Sequence, residues 1–315
     1  MAAQAELPFV TLDVFTSTRF KGNPLAVVTI PAGTKPYPTQ EQKQTIAREF
    51  NLSETVFIHE EHPDVDPKDK FTRRIDIFIT TAELPFAGHP TIGAAVSLLD
   101  KGITTLITKA GPIPLQQPEP NTIQAAIPFN VHLHKKTLSV LSAGDPNFFA
   151  PGDLSPIPEI QAAELAAPIF SIVKGMAFIL IELPTVELLS KVTGSAASFP
   201  VDQTLDAGWQ EGFLGRYYFV RVKQGTDTVA IRSRMIEKSF EDPATGSASC
   251  ALASYLTLAA GDAEPNRTVR YEITQGVEIG RESNILVTIG TKEGKINQVS
   301  LAGTAVQVMR GHVAL

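Results

Sequence analysis

The sequence predicts an α+β fold of two pseudo-symmetric domains, each a curled sheet wrapped round one central buried helix. Three observations carry that prediction. The stretch Glu83-Leu84-Pro85-Phe86-Ala87-Gly88-His89 is echoed without a gap by Glu241-Asp242-Pro243-Ala244-Thr245-Gly246-Ser247. Each copy follows a β-like segment, Arg74 to Thr80 and Asp227 to Arg234, and each runs into a helix that is small and apolar nearly all round, the mark of a helix buried on every side. The echo also continues beyond the helices, where Thr108-Lys109-Ala110-Gly111 corresponds to Thr274-Gln275-Gly276. A chain of 315 residues has room for two such units, each with its own core. The boundaries expected are 1–132 and 133–315, with the C-terminal strand free to pack with the first domain.

Taken in order, Phe9 to Phe15 alternates Val10, Leu12 and Val14 onto one face, and Leu25 to Ile30 returns as a second strand after the turn Lys21-Gly22-Asn23-Pro24. Thr39, three residues before Gln42, has the spacing of a capping box, and Ile46, Ala47 and Phe50 give that helix an inward face before Asn51 ends it. Glu54 follows at the entrance to the strand Thr55 to Ile58, where a solvated strand-end carboxylate is the ordinary expectation. His59 to Lys70 reads as a charged loop. His59, His62, Asp64 and Asp66 could be drawn there as a metal site, but nothing rigid sets ligand geometry. The first buried helix is expected from Pro90 to Asp100, and Ile103 to Thr108, Ile113 to Gln116 and Thr122 to Ile127 complete a strand-rich first half.

In the second half Thr137 to Ser142 reads as a short strand, Ala143 to Pro158 as a loop and Glu159 to Ala166 as a helix. Strands are expected at Ile169 to Val173, Met176 to Leu183, Tyr217 to Val222 and Thr228 to Arg234, with a helix opened by Pro184-Thr185 between them. The second buried helix spans Ala248 to Ala260 and is closed by Gly261. Val269 to Thr274, Val277 to Arg281, Ile285 to Ile289, Gln298 to Ala302 and Thr304 to Met309 are the remaining strands. Trp209 lies in an irregular stretch and carries no reading.

Composition narrows the function. A net charge of −6 and no basic run argue against nucleic acid as a partner. No apolar run approaches the roughly 18 residues of a membrane span, so no membrane partner is expected. Met1 to Leu12 lacks the pattern of a secretory signal, and the single cysteine, Cys250, fits a reducing, cytoplasmic setting. That lone thiol, on an apolar helix, reads as core packing and not as a nucleophile. No dinucleotide fingerprint, P-loop, HExxH or GxSxG occurs, so nucleotide cofactors have no visible address. What remains is a polar set at two helix starts. The backbone N–H groups of Gly88, His89, Gly246 and Ser247 could receive a carboxylate or an enolate-like charge. His89 and Asp242 flank them; either alone is as readily an exposed turn residue or a helix-start acid, and the repeat is what raises them above that.

These residues resemble the PhzF-type isomerase family, which shares the diaminopimelate epimerase fold. The matching motifs are Phe20-Lys-Gly-Asn-Pro24, Ala47-Arg-Glu-Phe-Asn-Leu-Ser-Glu-Thr55, Glu83-Leu-Pro-Phe-Ala-Gly-His-Pro-Thr91, Glu241-Asp-Pro-Ala-Thr-Gly-Ser-Ala248 and Gln275-Gly276 with Gly280-Arg281. The resemblance implies a cofactor-independent isomerase without metal, commonly a homodimer, acting on a small carboxylate. Glu54 would be the general acid/base that shifts a proton between carbons, His89 and Asp242 its companions, and the N–H groups of Gly88, His89, Gly246 and Ser247 the carboxylate holders. The two-thiol racemisation of related epimerases is excluded, because Ala87 and Pro243 occupy the corresponding places and only Cys250 exists. Ser249 departs from the family pattern, in which histidine is common. The alternatives are a catalytically silent small-molecule binding protein of the same fold, which predicts that Glu54 points away from the cleft or is tied up by a basic side chain, and a cofactor-independent hydrolase or lyase using the same base.

Overall fold

The computed structural model describes residues 6–145, 147–195, 199–237, 240–259 and 266–315, and the chain divides into two units, Met1–Ile127 with Leu301–Leu315, and Pro128–Ser300. The helix-closing role expected of Gly261 lies outside the described residues.

The first unit runs β1 (Glu6–Val14), β2 (Asn23–Ile30), α1 (Gln40–Phe50), β3 (Thr55–His59), β4 (Thr72–Phe78), β5 (Glu83–Leu84), α2 (Gly88–Ser97), β6 (Thr105–Thr108), β7 (Gly111–Glu119) and β8 (Thr122–Ala126). The second runs β9 (His132–Leu133), α3 (Leu138–Gly144), α4 (Pro158–Ala166), β10 (Ile169–Val173), β11 (Met176–Glu182), α5 (Val186–Ser190), α6 (Val201–Thr204), β12 (Phe213–Gln224), β13 (Thr228–Glu237), β14 (Phe240–Asp242), α7 (Gly246–Ala259), β15 (Thr268–Gln275) and β16 (Ser283–Lys292). β17 (Lys295–Gly303) reaches the boundary, and β18 (Ala305–Ala314) returns to pair antiparallel with β1.

The internal repeat is written in strand polarity. In the first unit β1 pairs antiparallel with β2, β2 parallel with β3, β3 antiparallel with β4, β4 parallel with β6 and β6 antiparallel with β7. In the second, β10, β11, β12, β13, β15 and β16 follow the same sequence of antiparallel and parallel pairings. Between the parallel strands of each unit lie a short return strand and the apolar helix, α2 or α7. Residues Gly88 to Ala95 of α2 are all buried, and so are Ala248 to Ser254 of α7. α2 lies so close to the sheet that a Cβ on Gly93 would stand 2.4 Å from Leu25 Cδ2 and 2.9 Å from Val14 Cγ2.

The opposite face of each sheet is also covered. Ile46 and Ala47 of α1 join Leu7, Val28, Ile30, Phe57 and Phe78 in one core cluster, and Ile160 of α4 and Leu189 of α5 join Ile169, Ile179 and Ile181 in another. Strands buried on both faces need no polar alternation, which is why β2 reads as a continuous apolar run. Thr39 closes its capping box with Gln42, and Asn51 takes the left-handed conformation at φ 51° with its N–H on Ala47 O.

Three expectations on elements are corrected. Thr137 to Ser142 is helical, because the Thr137 hydroxyl accepts from Val140 N–H and caps α3. Val277 to Arg281 is a turn, with Gly276 and Gly280 at φ +75° and +73°, a conformation no strand adopts. His59 ends β3 and is 1% exposed: its Nε2 bonds Asp76 Oδ2 at 2.9 Å, its Nδ1 meets the Tyr37 hydroxyl, and Lys43 of α1 pairs with the same Asp76. It belongs to a buried network tying α1 to the sheet and not to a charged loop.

Candidate active site

Glu54 is placed by the elements on either side of it. The Asn51 cap turns the chain out of α1, and β3 begins at Thr55, in the interior of the sheet between β2 and β4. The side chain is therefore drawn inward and keeps 17% exposure. Its Oε2 accepts no hydrogen bond from the described residues, and His89 Nε2 stands 3.6 Å away. Burial raises the Glu54 pKa above the ordinary carboxylate range, against an opposing hydrogen bond from Ser53. A solvated strand-end carboxylate would show neither feature.

His89 is the second residue of α2 and is 5% exposed, not a turn histidine in solvent. Ala87 occupies the helix N-cap in an extended conformation and gives no side-chain cap, so no side chain of the cap residue takes up the first backbone donors, Gly88 and His89. Thr91 turns its hydroxyl back onto Ala87 O at 2.8 Å, which closes the first turn from within. The first unit thus brings together Glu54, His89 and the start of α2.

In the second unit Asp242 ends β14, and α7 begins at Gly246. The Thr245 hydroxyl donates to Asp242 Oδ2 at 2.6 Å, and Ser249 N–H closes on Thr245 O at 3.0 Å. Glu241, the echo of Glu83, is taken up instead by Arg234, whose Nε and Nη2 meet its two carboxylate oxygens at 3.0 and 2.6 Å. Gly276 must be glycine: at φ +75° a Cβ there would lie 2.7 Å from Pro243 O and 2.6 Å from Arg281 O. The strand that follows α7 is thereby clamped against the Pro243 turn. Asp242, Gly246 and Ser247 are gathered at the start of α7 as Glu54, Gly88 and His89 are at the start of α2.

The model of the phenazine biosynthesis-like protein family matches residues 12–311 of this chain. The chain belongs to that family. An uncharacterized isomerase of Mesorhizobium japonicum is 30% identical over 331 aligned positions, covering 96% of this chain and 97% of that protein. The trans-2,3-dihydro-3-hydroxyanthranilate isomerase of Pseudomonas fluorescens is 29% identical, covering 98% of this chain and 99% of that protein. Among solved structures, the Bacillus anthracis phenazine biosynthesis protein of the PhzF family superposes at a TM-score of 0.71 with 20% identity, over 99% of this chain and 100% of that one, a likeness of fold.

Within the phenazine biosynthesis-like pattern this chain's Ser249 is a core residue. It is 0% exposed, and its hydroxyl meets Tyr217 Oη at 3.0 Å. Cys250 beside it is equally buried, and burial pushes its thiol far up, so it is no nucleophile. Among the described residues, His132, His134 and Asp206 cluster closely enough to suggest a metal centre, a grouping not visible in the sequence because Asp206 lies 72 residues beyond His134. Hydrogen bonds account for it. His134 Nδ1 accepts from Asp206 N–H at 3.0 Å and its Nε2 pairs with Ser171 Oγ at 2.9 Å, which leaves that ring no lone pair for an ion. Trp209, without a reading in the sequence, stacks on His132 at 4.6 Å between ring centres. No helix among the described residues is long and apolar enough to cross a membrane.

Proposed function

We propose that this isomerase of the phenazine biosynthesis-like family moves a proton from one carbon of a small carboxylate substrate to another, with Glu54 as the general acid/base. One observation carries the reading. Glu54 is a largely buried carboxyl whose Oε2 accepts no hydrogen bond among the described residues, its pKa is raised by burial, and the ion pair it approaches among them is with His89 and not with a lysine or arginine. A carboxyl whose protonated form is favoured by burial takes a proton from carbon as the anion and returns it as the acid. A carboxylate silenced by a guanidinium would have a lowered pKa and would do neither.

His89 and Asp242 are assigned as its companions, and the backbone N–H groups of Gly88, His89, Gly246 and Ser247 as the receivers of the substrate's carboxylate and of negative charge that develops beside it. A well-placed donor of this kind contributes about 3–4 kcal/mol to a transition state. The substrate class follows from these groups together with the activity named for the Pseudomonas fluorescens relative, whose substrate is a ring acid bearing an amine. The protein is proposed to work without metal or organic cofactor, as a cytoplasmic homodimer.

The test is isomerisation of trans-2,3-dihydro-3-hydroxyanthranilate and of related cyclic amino acids in deuterated water, read by mass spectrometry. The reading expects a product carrying solvent deuterium on carbon. Product formed with no carbon-bound deuterium at any extent of reaction would contradict an acid/base that exchanges with solvent.

A further inference from the structure

The start of α7 rests on a chain of buried hydrogen bonds whose direction can be read from the groups that have no choice. Gln275 closes β15 at 0% exposure. Its Oε1 accepts from Thr245 N–H at 3.3 Å, and its Nε2 donates to Asp242 O at 2.8 Å. A backbone N–H can only donate and a backbone C=O can only accept, so the orientation of the amide is fixed. The second bond at each end then follows. Nε2 also donates to Thr245 Oγ1 at 2.9 Å, and Oε1 also accepts from Tyr217 Oη at 3.1 Å. All four hydrogen-bonding positions of the amide are filled.

Two consequences follow. Having spent its one proton on Gln275, the Tyr217 oxygen receives the hydroxyls of Ser233 at 2.9 Å and Ser249 at 3.0 Å, all three side chains being fully buried. Because Thr245 Oγ1 accepts from Gln275, its own hydrogen is turned outward, and the acceptor there is Asp242 Oδ2 at 2.6 Å. Every donor from Ser249 to Thr245 points the same way, and the chain terminates on the Asp242 carboxylate.

We propose that Gln275 is a positioning residue, which aims the Thr245 hydroxyl at Asp242 and so holds that carboxylate in one orientation at the start of α7. Tyr217, Ser233 and Ser249 anchor the amide from behind. The functional meaning rests on Asp242 being a companion of Glu54. The relay itself does not, and the two can fail separately.

The experiment is carbon-13 NMR of the full-length protein labelled at aspartate carboxyls, with the Asp242 signal assigned by its loss in Asp242→Asn. A hydrogen bond to the charged form favours that form, so Thr245→Val and Gln275→Met should each raise the Asp242 titration midpoint by about one pH unit. The double variant should go no further than either single one, and Thr245→Ser should restore the original midpoint. If Thr245→Val shifts Asp242 while Gln275→Met leaves it unchanged, the hydroxyl aims itself and the proposal is overturned. A second measurement does not depend on the folding of a core variant. In the unsubstituted protein the Gln275 side-chain amide protons should shift as Asp242 titrates; amide signals blind to that titration also overturn the relay. If the relay holds but Asp242→Asn leaves proton exchange into substrate at the original rate, the functional reading fails and the relay stands.

Discussion

Glu54 Oε2 and His89 Nε2 lie 3.6 Å apart at the start of α2, a carboxyl and an imidazole facing each other inside one unit. Neither side chain is well solvated, and burial sets the energetics of the carboxyl.

Glu54 has a folded-state pKa raised above its unfolded value, so the folded protein holds this proton more tightly than the unfolded chain. Stability from this group is present below the unfolded carboxylate pKa and is lost as pH rises through the folded value. Glu54→Gln, which cannot ionise, should therefore raise Tm at pH 7, and the gain should shrink towards zero below about pH 4, the unfolded value. Calorimetry across that range checks the sign; a Tm lowered at pH 7 would mean that the charged form is stabilised by the fold.

Asp76 is the opposite case. Burial alone would raise its pKa, but the hydrogen bond and charge of His59, and then those of Lys43, hold it well below the carboxylate range. Its contribution is present above the unfolded pKa and is lost only in strong acid. Asp76→Asn leaves Lys43 buried without its anion and should cost about 3–5 kcal/mol. Urea unfolding at neutral pH measures this, and Lys43→Met in the same background should recover part of the loss.

The closeness of α2 to its sheet can be tested with one methyl group. Gly93→Ala places a Cβ 2.4 Å from Leu25 and 2.9 Å from Val14, and should cost about 1–3 kcal/mol. Leu25→Ala, combined with it, should be less harmful than the sum of the two single changes. Gly102→Ala, where a Cβ would meet nothing, bears only the strain of φ +64°.

Much of this was legible in the chain. The gapless echo of Glu83–His89 in Glu241–Ser247 became two helix starts with matching strand polarity around them, because a repeated strand, turn and apolar helix admits few ways to bury itself. The Thr39 and Asn51 caps were readable since capping chemistry is local. His59 was not: its partners Asp76 and Lys43 come from a neighbouring strand and a helix, and only the fold brings them to it. Thr137 to Ser142 has strand-like composition and lost to one threonine cap. For Glu54 no local signal separated a buried carboxyl from a solvated one; the resemblance singled it out, and its burial is a property of the strand it enters. Gln275 shows in the sequence only as half of a Gln-Gly motif, and its four hydrogen bonds appear only when β15 lies beside the Asp242 turn.

The central claim is that Glu54 carries the proton. The most direct measurement is the rate of carbon-bound deuterium incorporation into trans-2,3-dihydro-3-hydroxyanthranilate, or into whichever cyclic amino acid the unsubstituted protein turns over fastest, for that protein and for Glu54→Gln and Glu54→Asp. The account predicts a loss of at least about 100-fold for Glu54→Gln with substrate binding retained, and a partial return for Glu54→Asp. Exchange by Glu54→Gln at the rate of the unsubstituted protein would contradict it.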